Sequence, residues 1–226
     1  MLYSFKTGDG MKGYAYAACA MMVVWSLLMA LFSVGLNDEI YDAVQRRIGV
    51  NEITTGLDEQ QRMTMNRQIA MYLAGRTNEI DNLSERAKIH MQDVKGLLSS
   101  ARIALYASAG AMIVFGIIGM KRAKAHMKRA FFVCTGAYVL IAGLIAAASA
   151  VDFSGIFTLF HEMLFTNDLW LLNPNEDALI RILPEKFFIV MAVIIALAAL
   201  AHCLFTGALI WGVNRLMGRL KKDELL

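Results

Sequence analysis

Phe187-Phe188-Ile189-Val190-Met191-Ala192-Val193-Ile194-Ile195-Ala196-Leu197-Ala198-Ala199-Leu200-Ala201-His202-Cys203-Leu204-Phe205-Thr206-Gly207-Ala208-Leu209-Ile210-Trp211-Gly212-Val213-Asn214 runs for 28 residues without Asp, Glu, Lys or Arg. A bilayer core of about 30 Å needs ~20 helical residues, so this stretch is long enough to span it. In hydrocarbon every backbone N–H and C=O must be paired within the segment, which leaves helix as the reading. Three other blocks behave alike. Gly13–Leu36 runs 24 residues without formal charge, Ile103–Met120 runs 18, and Ala130–Val151 runs 22. Starting the second block at Leu97 brings it to 24 residues and takes in Arg102. The expected spans are therefore 13–36, 97–120, 130–151 and 187–214.

Composition agrees. The 226 residues are 58% hydrophobic, against roughly 45–50% for a soluble domain, and the mean hydropathy is +0.50. The only two prolines, Pro174 and Pro184, lie outside the apolar blocks, which suits unbroken helices. The net charge of +3 is too small for a nucleic-acid binder, and the basic residues cluster beside apolar blocks instead. Cys19, Cys134 and Cys203 all lie inside apolar blocks, so they read as small packing residues and not as a disulfide framework or CxxC site. The first block exceeds the ~7–15 apolar residues of a signal peptide and reads as a retained span. Lys222-Asp223-Glu224-Leu225 is followed by Leu226, so it is not a terminal retention signal.

Short basic flanks set the orientation. Lys6 and Lys12 precede the first span. Lys121, Arg122, Lys124, Lys128 and Arg129 lie between the second and third. Arg215, Arg219, Lys221 and Lys222 follow the fourth. All three groups fall on one side of a four-span topology, which should be cytoplasmic, with both termini. Loops 37–96 and 152–186 then face outward. Trp25, Trp170 and Trp211 read as interface anchors, of which one or two could instead be core.

The first outer loop reads as mainly helical. Thr55 and Asp58 resemble a capping box, opening a helix from Gly56 or Leu57 to about Leu73 that Gly75 ends. Asn82 with Glu85 starts a second helix, Ser84–Leu98, continuing into the span. His90 lies seven residues before Leu97, about 10 Å above the membrane edge. Asp93 shares its helix face. Arg102 reads as a snorkelling side chain or as a charge meeting a lipid or a developing anion. The second outer loop opens with Phe153–Phe165, apolar and aromatic but too short to span, and so re-entrant or interfacial. It carries His161. An amphipathic stretch, Glu176–Leu183, precedes Pro184.

His90 and His161 are the two outer-face histidines, placed near one headgroup plane. His126 sits among cytoplasmic lysines, and His202, deep in the fourth span, reads as a helix–helix hydrogen bond. His161-Glu162 begins a zincin-like pattern, but Phe165 stands where its second histidine should be. No G-x-S-x-G elbow and no Walker A loop occurs. A zinc site from His90, Asp93 and His161 is possible by ligand type. Otherwise the residues point to general acid–base chemistry with no protein nucleophile, in which the substrate brings its own.

Phe160-His161-Glu162-Met163-Leu164-Phe165-Thr166-Asn167-Asp168-Leu169-Trp170-Leu171-Leu172-Asn173-Pro174, continuing through Asp177, Ile180, Pro184 and Phe187-Phe188, resembles the signature of a bacterial family of four-span membrane proteins. Glu85-Arg86-Ala87-Lys88-Ile89-His90-Met91-Gln92-Asp93-Val94 resembles its second signature. This is the lipoprotein intramolecular transacylase (Lit) family, and the resemblance covers essentially the whole chain. It implies an acyltransferase of the bacterial cytoplasmic membrane, active on the outward side without a cofactor. Its substrate would be a diacylated lipoprotein among membrane lipids. The sn-2 acyl chain would move to the α-amino group of the lipoprotein's own cysteine, giving the lyso form. His161 is the expected base. His90 orients it or donates to the oxyanion, in roles that could be exchanged. Asp93 would fix the His90 tautomer or remain a solvated carboxylate. Asn167 would shape the loop or donate to the oxyanion. Trp170 and Arg102 are supporting residues. Rival readings are a lipid hydrolase or metal-dependent enzyme using the same histidines, and a non-enzymatic four-span accessory protein.

The fold expected is all-α and membrane-integral: one domain, 1–226, built as a four-transmembrane-helix bundle with largely helical outer loops and a short re-entrant or interfacial segment.

Overall fold

The computed structural model describes residues 7–223, with side chains described except at 7–11, 214 and 216–223. The cations Lys6, Arg219, Lys221 and Lys222 lie outside the described residues and side chains. Among the described residues nine helices follow one another: α1 Thr7–Val34, α2 Asp38–Ile48, α3 Glu52–Thr55, α4 Glu59–Leu73, α5 Glu85–Arg122, α6 Lys124–Val151, α7 Phe153–Leu164, α8 Ala178–Ile182 and α9 Glu185–Asp223. Four of them, α1, α5, α6 and α9, are long and apolar enough to cross a membrane. Their large apolar side chains turn away from the protein. Only 17% of the most apolar window of α5 is buried inside the chain, with Ile103, Tyr106 and Ile113 exposed. In water such a surface would be costly; against lipid tails it is neutral.

The chain divides into two compact units, one made of Met1–Ala30, Leu105–Ile141 and Leu197–Leu226, the other of Leu31–Ala104 and Ala142–Ala196. In the first, Ala15, Cys19 and Met22 of α1 pack with Ala130 and Phe131 of α6 and Cys203 of α9. Small residues let the helices close up. A Cβ on Gly207 would stand 2.4 Å from the Phe131 ring, so only glycine admits that ring against α9. Trp211 packs edge-on against Phe131 at 5.1 Å. The three cysteines are free thiols, Cys19 and Cys203 buried. The bond expected of His202 is not formed at Nδ1, which is buried without a partner.

The second unit holds the connections, and its helix ends follow local capping chemistry. Asn37 caps α2 by accepting from the Ile40 N–H at 3.1 Å. Asp38 and Glu39 in its first turn and Arg46 and Arg47 in its last oppose the helix dipole. The capping box expected at Thr55 and Asp58 is corrected. Asp58 itself caps α4, accepting from Gln61 N–H at 2.8 Å, while Gln61 returns a bond to Asp58 N–H at 3.0 Å. Thr55 closes the preceding turn instead, its hydroxyl donating to Asn51 carbonyl at 2.8 Å. Helix α4 therefore starts two or three residues later than expected. It ends where expected: Gly75 is left-handed, φ +76°, and Arg76 N–H returns to Met71 carbonyl at 2.9 Å, a Schellman closure.

Helix α5 runs unbroken from the polar connection into the span, but its cap is Ser84, whose hydroxyl accepts from Ala87 N–H at 3.1 Å. Asn82, expected to start this helix, sits left-handed before it, φ 60°. The first span is shorter than its charge-free block, since α1 stops at Val34. Of the stretch Glu176–Leu183, only Ala178–Ile182 is helical.

Helices α2 and α4 meet through polar side chains that are almost wholly buried: Asp42, Gln45, Arg62 and Asn66. Arg62 donates to Asp42 at 2.8 Å and to Gln45 Oε1. Asn66 donates to both, at 2.8 and 2.7 Å. Gln45 donates to Ile182 carbonyl at 2.8 Å, tying the pair of helices to α8.

Candidate active site

Helix α7 exists because Asp152 ends one helix and caps the next, accepting from Gly155 N–H at 2.9 Å. Its faces differ. Leu159, Phe160, Met163 and Leu164 are exposed, while His161 is buried. Phe153 and Phe157 precede His161 at helical spacing, their rings 5.7 Å apart, and continue the inward face.

The two outer-loop histidines converge. The His90 and His161 ring centroids are 6.0 Å apart, and both rings are at least nine-tenths buried. His161 lies in an aromatic box. Trp170 stacks on it at 4.8 Å and 27°, Phe165 at 5.7 Å, and Phe157 sits 4.2 Å away. Phe165 also meets the His90 ring edge-on at 5.1 Å.

One contact decides the His161 tautomer. Its Nδ1 lies 2.7 Å from the Phe157 carbonyl one turn back. A carbonyl only accepts, so Nδ1 carries the hydrogen and Nε2 keeps the lone pair. Burial lowers the pKa of His161, and the bond to Phe157 partly offsets this. His90, two turns before the apolar part of α5, is lowered to about 4 by burial and by His161, against a rise from Asp93. Both rings are thus held neutral at neutral pH.

The remaining expected residues separate. Asp93 accepts from Asn167 Nδ2 at 3.0 Å, while His90 Nδ1 is buried without a partner. The tautomer-fixing bond from Asp93 to His90 is therefore not formed at Nδ1. Asn167 shapes the loop, accepting at its side chain from Leu169 N–H at 3.1 Å and at its carbonyl from the Trp170 indole at 3.0 Å. Trp170, expected as an interface anchor, is drawn onto His161, because this turn directs its ring inward. Arg102 is not brought to the pair. Twelve residues along α5 place it about 18 Å from His90, and its guanidinium donates to Ala74 carbonyl at 3.0 Å, capping the end of α4. Among the described residues, no three of His, Cys, Asp and Glu stand where they could hold a metal ion. The reading of the sequence missed Phe157, Phe165 and Arg86. Arg86 donates from Nε to Leu171 carbonyl at 3.1 Å and pairs with Asp168 at 3.1 Å. Its place one turn before His90 on one helix face was the available signal.

The family profile described as "Lipoprotein intramolecular transacylase Lit" matches residues 16–188, more than three-quarters of the chain and all of the site. The chain belongs to the Lit family. It is an acyltransferase that carries out intramolecular transacylation of lipoprotein, and a multi-pass membrane protein. The fold is that of the membrane-integral Lit of Bacillus cereus, 22% identical, TM-score 0.77, with 96% of this chain and 99% of that one covered. A form of the Bacillus cereus protein with one histidine changed to alanine superposes at TM-score 0.75 and 20% identity, covering 95% of this chain and 96% of that one. No match to a curated protein was found.

Proposed function

We propose that His161 Nε2 is the base of the Lit reaction in this chain and that His90 is its partner at the same substrate. The observation that carries this is the Nδ1–H bond to Phe157, which leaves the lone pair of the neutral ring on Nε2. The substrate is a diacylglyceryl-cysteine lipoprotein. Its ammonium first gives one proton to solvent, and the neutral amine then attacks the sn-2 ester carbonyl while His161 Nε2 takes a second proton from the attacking nitrogen. The tetrahedral oxyanion takes a hydrogen bond from His90. The bond to the glycerol oxygen then breaks, and the imidazolium returns its proton to that oxygen. The new amide and the free hydroxyl balance the ester and the amine consumed. The Trp170 face and the Phe157 carbonyl stabilise the transient imidazolium.

The aromatic box keeps bulk water from the ester, so attack by the substrate's own amine is favoured over hydrolysis. Holding amine and ester together contributes several kcal/mol at low cost in nucleophile activation, since the amine pKa is near 7.7–8.0. The apolar face of α7, with Phe160 and Met163 exposed, lies along the leaflet surface and brings His161 to headgroup depth. The basic residues of the α5–α6 junction favour a cytoplasmic junction, which supports a site on the outer side.

The test is expression in cells that make diacylated lipoproteins, with mass spectra of their N-terminal peptides. N-acyl, S-monoacylglyceryl peptides are expected, and their absence overturns the reading. The pH profile tests the neutral pair. Log kcat/KM should climb with a slope of about one from pH ~6 and level near pH 8, following the substrate amine. Because both histidine pKa values are lowered, neither adds a second proton to this limb. A steepening to a slope of two below about 6.5 would show a histidine titrating at its ordinary value.

A further inference from the structure

Arg86, His90 and Asp93 stand at i, i+4 and i+7 on α5, within one narrow arc of its surface. Each meets the segment that follows α7. Asp93 holds the Asn167 side chain at 3.0 Å, and His90 meets Phe165 at 5.1 Å. Arg86 holds the far end, with Nε on Leu171 carbonyl at 3.1 Å and its other arm on Asp168 carbonyl and carboxylate. Trp170 lies between those two carbonyls in the chain, and its ring covers His161. Leu171 is exposed, and Arg86 holds this end of the turn while the Asn167 side chain, on Leu169 N–H at 3.1 Å, holds the other.

We infer that Arg86 is a positioning residue for transacylation, seating Trp170 on the His161 ring by gripping the carbonyls on either side of it. The inference rests on His161 being the base. The exposed ion pair with Asp168 is worth little by itself. The guanidinium fork that spans two carbonyls is the part that sets geometry, and a lysine, with one compact charge on a flexible stem, cannot reproduce it.

The full-length protein in lipid vesicles, given a diacylglyceryl-cysteine peptide, tests this. Arg86→Gln should lower kcat about 30- to 100-fold while KM stays within threefold. Arg86→Lys should recover only a few-fold, and Asp168→Asn should cost only a few-fold. A second readout follows the stack itself. With Trp25 and Trp211 replaced by phenylalanine, Trp170 emission in Arg86→Gln should match that in His161→Ala, since both lose the ring pair. Wild-type kcat in Arg86→Gln overturns the inference, and so does lost activity with unchanged Trp170 emission. Should the unsubstituted protein make no N-acyl product, the proposed reaction fails instead, and the emission comparison still decides whether Arg86 seats Trp170.

Discussion

His161→Ala should give a protein that inserts and folds but forms no detectable N-acyl lipoprotein, a loss of about 10²–10⁴-fold in kcat, the usual contribution of a positioned acid or base. His90 is the other basic nitrogen beside the ring, and in this mechanism it is committed to the oxyanion. Phe157, Phe165 and Trp170 have no lone pair to lend, and Asp93 is engaged with Asn167. His161→Asn is the sharper variant. Its amide N–H can still donate toward the Phe157 carbonyl, so the α7 contact survives while the basic nitrogen is gone. It should be as inactive as the alanine form. More than a tenth of wild-type activity in the asparagine form would show that the Phe157 contact, and not the base, is what catalysis needs. His90→Ala should fall in the same range, because the oxyanion then forms in an apolar pocket without its donor.

The spans were legible because membrane crossing is a one-dimensional property. A run such as Phe187–Asn214 is decided by length and charge alone, and no partner elsewhere can change it. The continuity of α5 and the stop at Gly75 were legible for a similar reason, since helix propagation and left-handed caps are local. Local chemistry with two contenders was not. Asn51, Thr55 and Asp58 are all good N-cap residues within eight positions, and the side chains settled on two boxes, Asn51 with Thr54 and Asp58 with Gln61. Contacts between distant segments were least visible. Depth in the membrane suggested that His90 and His161 share a plane, but nothing in their neighbourhoods could show that the rings converge. Trp170 resembled an interfacial tryptophan because its inward turn depends on Asn167, and Asn167 depends on Asp93, 74 positions away. Asp42, Gln45, Arg62 and Asn66 carry no local sign of burial, for charged and amide side chains are rarely buried alone.

That buried quartet carries the largest expected effect on stability. Arg62→Ala should lower it by about 3–5 kcal/mol, the usual cost of breaking a buried ion pair by removing one partner. Arg62 and Asp42 are 3% and 6% exposed. Without the guanidinium, the Asp42 carboxylate keeps only the Asn66 amide, and Gln45 Oε1 loses one of its two donors. Water would have to enter to solvate the carboxylate, which weakens the packing of α2 on α4. At roughly 2–4 °C per kcal/mol for a chain of this size, the melting temperature in detergent should fall by about 6–20 °C. Arg62→Met with Asp42→Asn should recover much of the loss, because neutralising both partners removes the uncompensated charge that the single change leaves. A single variant melting within 2 °C of the parent, or a double variant less stable than Arg62→Ala, would mean that the four groups are not coupled as their hydrogen bonds imply. The quartet also reaches α8 through Gln45 and the Ile182 carbonyl at 2.8 Å. Arg62→Ala should therefore loosen the segment leading into α9 as well, and hydrogen exchange at Leu183, whose N–H is bonded to Leu179 carbonyl, should speed up with the fall in melting temperature.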